Sequence, residues 1–470
     1  MKVLLVHAKV PFEELSHKQF PLGIAYIASC IREKHIVKIF DESNENEALN
    51  DVVTEFAPDV IGVSFTAQSA IRAYEIAAQY KKSSILVAGG VHASLKPEEV
   101  LSNGFAYVMC GEGEITFSKF LDSIEEKKDV RLVPGIAYYI NKKMHFTGKA
   151  AILKNLDLIP LPAHDLLKMD MYEQASIITS RSCPYHCKFC VSSILYQNCY
   201  RKRTPDNVFK EIQDIVTRYN KKIVHFCDDT FTIDRAFVKK LCELIITNEL
   251  KFRWSILSRV DTIKNDRKML SLLKKAGCEL IIFGIESGSQ RILDKIGKNI
   301  RISEVEDSIN LCKEEGLKVK TTWIIGLPGS YNEQLDSLTL MKKILPNQIS
   351  VHLFIPYPST ELYNNRTKYG IHIDEKLLAD NLPYINPGYY DPNIDYSKLF
   401  SFDYLSFEQI FEIEQIFSHE LRTMGYRLPH EYIYENEEKT YNSFVHKVNN
   451  KLIKTNNVGP VGSNNCLRDS

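Results

Sequence analysis

Short apolar runs alternate with helical periodicity along most of this chain, and no other feature constrains its fold as strongly. Runs at 3–6, 36–40, 60–64, 85–88 and 106–109 read as strands, and residues 22–31, 48–56, 71–80 and 117–124 repeat apolar positions at helical spacing. Continuous apolar strands separated by helices predict a doubly wound α/β domain, with a parallel sheet covered on both faces. A second series has strands at 177–178, 223–226, 252–256, 280–283, 318–325 and 349–354, with helices at 208–219, 237–247, 268–275, 303–315 and 333–344. Six such steps predict a (β/α)6 partial barrel whose chemistry sits on the loops after its strands.

The expected organisation is a first domain over 1–130, a connector over 131–172, the barrel over 173–355, an irregular, partly helical region over 356–450, and a disordered tail over 451–470. Within the connector, 136–140 and 144–146 predict a hairpin turned at Asn141-Lys142. Near the end, Ser406 is the expected N-cap of a helix over 407–424.

Composition removes several classes of protein. Hydrophobic residues make up 44% and charged residues 25% of 470, which excludes a disordered or collagen-like chain. Lys+Arg and Asp+Glu are equal at 59 each, so no basic nucleic-acid surface dominates. No apolar run is long enough to span a membrane. The apolar start meets Glu13 and Glu14 early, so it reads as a buried strand rather than a signal peptide, and a cytoplasmic protein is expected.

Cysteine usage is sparse and uneven. The count is odd at 11, which argues against a disulfide framework. Eight are scattered, but Cys183, Cys187 and Cys190 form C-x3-C-x2-C directly after the first barrel strand. Zinc needs four ligands, usually from two C-x2-C pairs; no second pair exists, and His186 as the fourth would have to fold back over its own loop. A 4Fe-4S cluster held by three thiolates leaves one iron open to an outside ligand. Unliganded thiols are the third reading.

Three strands of the first domain end in small or glycine-rich loops: Ser64-Phe65-Thr66, Gly89-Gly90-Val91-His92 and Gly111-Glu112-Gly113-Glu114. Ligands of open α/β sheets sit beyond this edge, and glycine lets a flat ligand come close. The plainer alternative is that these glycines only make tight turns.

The cysteine spacing, an aromatic before the last cysteine and the six-step α/β series together resemble the radical S-adenosylmethionine (SAM) superfamily. The first domain, with its glycine loops, resembles the cobalamin (B12)-binding domain found in front of some members. The resemblance implies that Cys183, Cys187 and Cys190 hold a 4Fe-4S cluster whose open iron chelates SAM. It also implies that Phe189 places its backbone beside the adenine. Asp228, Asp229 and Thr230 stand where the family holds the SAM amino group, here as Asp-Asp-Thr rather than Gly-Gly-Glu. Ser258 and Arg259 are implied near the SAM carboxylate or ribose, and Glu286 and Ser287 near the ribose. Gly326 and Pro328 lie where adenine approaches, although Thr322 and Gly329 break the family's G-x-I-x-G-x-x-E pattern. Local roles compete with several of these: turn caps for Asp229 and Thr230, a helix-start acid at Glu286, and an ion pair between Arg259 and Asp261.

For cobalamin the resemblance implies Ser64, Thr66, Gly89, Gly90, Val91, His92, Gly111, Glu112, Gly113 and Glu114 as contacts. The D-x-H-x-x-G motif that supplies a cobalt-binding histidine is absent, and His7 and His17 are wrongly spaced for it. The implied activity is reductive SAM cleavage to a 5′-deoxyadenosyl radical, with methylation of an unactivated carbon of a small molecule through methylcobalamin. An external flavodoxin- or ferredoxin-like reductant is implied, and no nucleic-acid partner. Relatives that cyclise, contract rings or rearrange give an alternative, and a cobalamin-binding module with a structural metal is a remote one. Substrate-lining candidates are Tyr357, Pro358, Tyr363, Tyr389, Tyr390 and Tyr396.

Overall fold

The apolar runs of the first series become one twisted sheet. A computed structural model of the chain describes residues 1–10, 20–381, 385 and 395–426. Strands β1 (Lys2–His7), β2 (Ile36–Asp41), β3 (Val60–Ser64), β4 (Ile85–Gly89) and β5 (Tyr107–Met109) run parallel. β6 (Ile136–Ile140) and β7 (Lys143–Phe146) then add antiparallel, giving the order β2–β1–β3–β4–β5–β6–β7. Val3, Leu4, Leu5 and Val6 are all at most 2% exposed, as both faces are covered. Val3 and Leu5 pack with Ile24 and Phe117 on one face, and Leu4 and Val6 pack with Val52 and Ala73 on the other.

The hairpin expected in the connector is thus part of the first sheet. Its two-residue turn has φ 50° at Asn141 and 63° at Lys142, the left-handed pair that matches strand twist. Pairing with β5 covers an edge that would otherwise be open.

The second series forms a six-stranded parallel sheet in the order β15–β14–β13–β12–β11–β8. Its strands are β8 (Ala175–Ile177), β11 (Ile223–Phe226), β12 (Arg253–Ser258), β13 (Cys278–Glu286), β14 (Lys318–Ile325) and β15 (Gln348–Leu353). A two-stranded ribbon, β9 (Ser180–Arg181) with β10 (Arg201–Lys202), brackets the cysteine loop. Each barrel strand turns one side to the surrounding helices and one to the lumen. On β14, Val319, Thr321 and Trp323 are 0% exposed, and Lys320, Thr322 and Ile324 between and beyond them are half-buried.

After the barrel, β16 (Ile371–Ile373) pairs with β17 (Phe400–Phe402), and the helix Phe407–Thr423 packs on the helix Tyr331–Ile344. Ser406 caps that helix as expected, its hydroxyl accepting from the Gln409 amide at 3.3 Å. Among the described residues no helix is long and apolar enough to cross a membrane. The expectations for His17, Tyr389, Tyr390 and residues 451–470 lie outside the described residues.

Candidate functional site

The cysteine loop is pinned through the main chain of Lys188, between its second and third cysteines. The Lys188 amide donates to the Ile296 carbonyl at 2.9 Å, and the Lys188 carbonyl accepts from the Leu362 amide at 3.0 Å. A tight turn follows, with the Cys190 amide donating to the Cys187 carbonyl at 3.1 Å. All three thiols are half-buried, and burial pushes each one up. At Cys187 the charges of Lys298 and Arg259 oppose that rise. Arg259 donates toward the Cys187 sulfur at 3.7 Å and lies 3.7 Å above the Tyr185 ring centre. Cys183 stands 3.7 Å from the Thr230 hydroxyl.

These donors suit a cluster better than zinc. Among the described residues no three His, Cys, Asp or Glu side chains are gathered for a single ion, and His186 is exposed. A cluster needs no such gathering, because each thiolate takes a different iron.

The strand ends around the loop divide into committed and available groups. Asp228 is 0% exposed and fully used: it accepts from the Thr179 amide, from the Thr179 hydroxyl at 2.6 Å and from the Ser180 hydroxyl at 2.5 Å. It therefore anchors the chain entering β9 and is not free to hold an ammonium. Its neighbour Asp229 is exposed and accepts from Ser192 at 2.6 Å, just beyond the last cysteine. Of the acidic pair, it alone is turned toward the loop with acceptor capacity left. Ser258 likewise departs from expectation, since its hydroxyl is buried in a cluster with Thr232 and Thr262.

Arg259 makes the local ion pair with Asp261 at 2.9 Å and also donates to the Lys298 carbonyl at 2.6 Å. Glu286 is buried at φ 71° and bonds Lys298 at 2.8 Å, and the Ser287 hydroxyl accepts from the Ser289 amide at 3.1 Å. Phe189 is half-buried, with the Lys298 ammonium 5.9 Å from its ring centre. Gly326 has φ 89°, its amide donates to Gln334 at 3.1 Å, and its carbonyl accepts from Tyr404 at 3.1 Å. Gln334 also donates to Leu327 at 2.9 Å, so one buried amide shapes the loop that contains Pro328. Sequence reading missed Gln334, although it sits on the same helical face as the buried Leu338 and Met341.

In the first domain, a cavity of about 520 Å³ opens at the carboxyl edge of the sheet. Ser64, Thr66, Gly89, Gly90, Val91, Gly111, Glu112, Gly113 and Glu114 all line it. Leu5, Gly62, Val87 and Phe117 make an apolar floor between the strands and a helix. A Cβ at Gly23, Gly89 or Gly111 would meet nothing within 4 Å, whereas one at Gly90 would lie 2.7 Å from the Phe65 carbonyl oxygen. Open space over glycines, above an apolar slot, is a cradle suited to a broad, flat ligand such as a corrin.

His92 is a correction. It does not line the cavity; its buried ring is 3.2 Å from both Tyr74 and Glu99. Sequence reading also missed the far wall, where Arg181, Leu195, Tyr196 and Cys227 come from the barrel. The cavity therefore lies between the glycine loops and the segments that flank the cysteine loop.

Glu112 and Glu114 are engaged across that boundary. Glu112 accepts from Arg181 at 2.7 Å and from Arg201 at 2.8 and 2.9 Å, and Arg181 also pairs with Glu114. Burial pushes the Glu112 carboxyl up, but the Arg201 hydrogen bonds and the Arg181 charge outweigh it and hold the group below its ordinary range. In the C-terminal region, Tyr363 and Tyr396 are 8% and 1% exposed, and Tyr396 stacks on Phe407, so both are packed side chains.

Comparison with known proteins adds to this geometry. The radical SAM superfamily model matches residues 177–341, and the B12 binding domain model matches residues 8–121. An uncharacterised methyltransferase of Pyrococcus horikoshii is 32% identical over 77% of this chain and 82% of its own length. The anaerobic magnesium-protoporphyrin IX monomethyl ester cyclase of Rubrivivax gelatinosus is 27% identical over 77% of this chain and 69% of its own. Among solved structures, the radical SAM methyltransferase TsrM from Kitasatospora setae, determined with cobalamin and a 4Fe-4S cluster bound, shares the fold. It aligns with a TM-score of 0.71 at 16% identity, covering 90% of this chain and 88% of TsrM.

Proposed function

Because this chain belongs to the radical SAM superfamily and carries a B12-binding domain, we propose that it is a cobalamin-dependent radical SAM methyltransferase acting on an unactivated carbon of a small molecule. The observation that carries this reading is the shared cavity: its walls come from the glycine loops on one side and from Arg181, Tyr196 and Cys227 of the barrel on the other. Two cofactor-holding loops built around one space are what transfer between cofactors and substrate requires.

In this reading Cys183, Cys187 and Cys190 hold the 4Fe-4S cluster, Asp229 receives the amino group of SAM, and the glycine loops seat cobalamin. Together these groups supply hydrogen abstraction from carbon and a transferable methyl group. The chain supplies position. Its bonds to Ile296 and Leu362 hold the cysteine loop at a fixed height, and Arg259 and Lys298 place positive charge beside Cys187. Arg181 and Arg201 clamp the Gly111–Glu114 turn to the barrel, fixing the distance between the two loops. Tyr196 lines the shared cavity and helps keep water from it. An external one-electron donor completes the cycle.

The test is oxygen-free reconstitution with iron, sulfide and hydroxocobalamin, followed by turnover with SAM labelled in its methyl group. About four irons and one corrin per chain, and label in a product carbon, are expected. Iron without corrin overturns the cobalamin assignment. Both cofactors with an unlabelled, rearranged product favours the cyclase-type alternative suggested by the Rubrivivax gelatinosus relative.

A further inference from the structure

The barrel lumen carries a cation, Lys320, that has no counter-charge among the described residues. Along β14 the inward positions include Lys320 and Thr322, and along β11 and β12 they include His225 and Ser255. His225 and Ser255 are register partners, with the imidazole Nδ1 2.7 Å from the hydroxyl. The register continues from Ser255 to Leu280 and Lys318, and from Leu257 to Ile282 and Lys320. Lys320 therefore stands one inward layer nearer the carboxyl-end mouth than the His225–Ser255 pair.

Lys320 is half-buried and has no hydrogen-bond or ion-pair partner among the described residues. Burial pushes its ammonium below the ordinary lysine range, and no carboxylate among the described residues opposes it. Its charge reaches His225, whose imidazole is lowered first by burial and then by Lys320. Thr322, also half-buried, has no side-chain partner among the described residues. Near the cysteine loop, buried cations are paired with carboxylates, Lys298 with Glu286 and Arg259 with Asp261, and the buried Lys221 ammonium at the foot of the barrel donates to the Tyr172 carbonyl. A half-buried ammonium without a counter-charge costs stability, and a ligand that brings the missing negative charge explains why it is there.

We propose that Lys320, Thr322 and the His225–Ser255 pair form an anion-recognition subsite in the lumen, and that the substrate carries a carboxylate or phosphate group that seats on it. That the anion belongs to the substrate rests on the function proposed above; that the lumen takes an anion does not. The subsite sets one end of the molecule deep in the barrel and leaves its other end toward the mouth, beside the cysteine loop.

The test compares reconstituted wild type with Lys320→Met and Lys320→Arg by thermal unfolding, with inorganic phosphate or acetate added. Without anion, Lys320→Met is expected to melt about 2 °C higher, because an unpaired charge has gone. Anion is expected to raise the wild-type and Lys320→Arg midpoints and to lose that extra effect in Lys320→Met. A larger shift with phosphate assigns a phosphate group, and a larger shift with acetate assigns a carboxylate. A lower midpoint for anion-free Lys320→Met overturns the proposal, as do anion shifts that are equal in, or absent from, wild type and Lys320→Met. Weaker SAM binding by Lys320→Met gives the anion site to SAM and overturns the substrate assignment. Iron and corrin are assayed on the same samples. Their absence from wild type counts against the function above, while the thermal comparison still decides the anion site.

Discussion

At the residue scale, two adjacent glycines do different work. Gly89 faces open cavity, so Gly89→Phe fills the space proposed for the corrin without disturbing packing. Cobalamin uptake should fall at least about tenfold at unchanged iron content and melting temperature, as read by the visible spectrum after gel filtration. Gly90 is held at φ 95° with the Phe65 carbonyl against its missing side chain, so Gly90→Ala should cost about 1–3 kcal/mol in urea denaturation. Equal behaviour of the two variants argues against the assigned cavity. For the cluster, Cys187→Ala should abolish iron retention and leave secondary structure intact; iron that survives removes the thiol assignment. The cysteine spacing and both glycines were legible because each is a local property of a loop. The commitment of Asp228 to Thr179 and Ser180 was not, because its partners lie 48 and 49 residues away.

At the scale of elements, what joins the two sheets is a set of charges rather than apolar contact alone. The N-cap and first turn of the helix Gly113–Glu125 offer Glu112 and Glu114, and the ribbon of β9 and β10 answers with Arg181 and Arg201. The Arg181 side chain is only 7% exposed, so Arg181→Met leaves carboxylates uncompensated where water cannot reach them well. A loss of about 3 kcal/mol in urea denaturation is expected, together with weaker corrin retention. A change under about 0.5 kcal/mol would mean that the pair acts as a solvated surface contact. From sequence, Glu112 and Glu114 looked ligand-facing because they end a strand at a binding edge. Their partners lie 67 to 89 residues later, at a separation that periodicity does not report. Helix caps such as Ser406 were legible because a cap is settled within four residues.

At the scale of the whole molecule, His164 sits between the two folded halves, 5.8 Å from the Phe20 ring and 6.1 Å from the Tyr219 ring. Burial, aided by the Arg203 charge, pushes its imidazole down from 6.5 to about 4. The folded chain therefore keeps this ring neutral while the unfolded chain protonates it near its ordinary value. Stability from this group is complete above about pH 6.5 and falls as pH drops toward 4. The melting temperature should decline across that window, with a shallower slope in His164→Phe; parallel slopes would remove His164 as the cause. The sequence by itself determined the two parallel sheets, the cysteine loop and the glycine-rich edge. Each follows from the period of apolar residues or from spacing within one loop, and both are local. Only the tertiary structure decided that residues 136–146 belong to the first sheet, that His92 turns to Glu99, that Asp229 rather than Asp228 is available, and that Lys320 has no counter-charge among the described residues. Each of these depends on which distant strand or charge packs alongside. Pairing across tens of residues is settled by burial and geometry after the elements have formed.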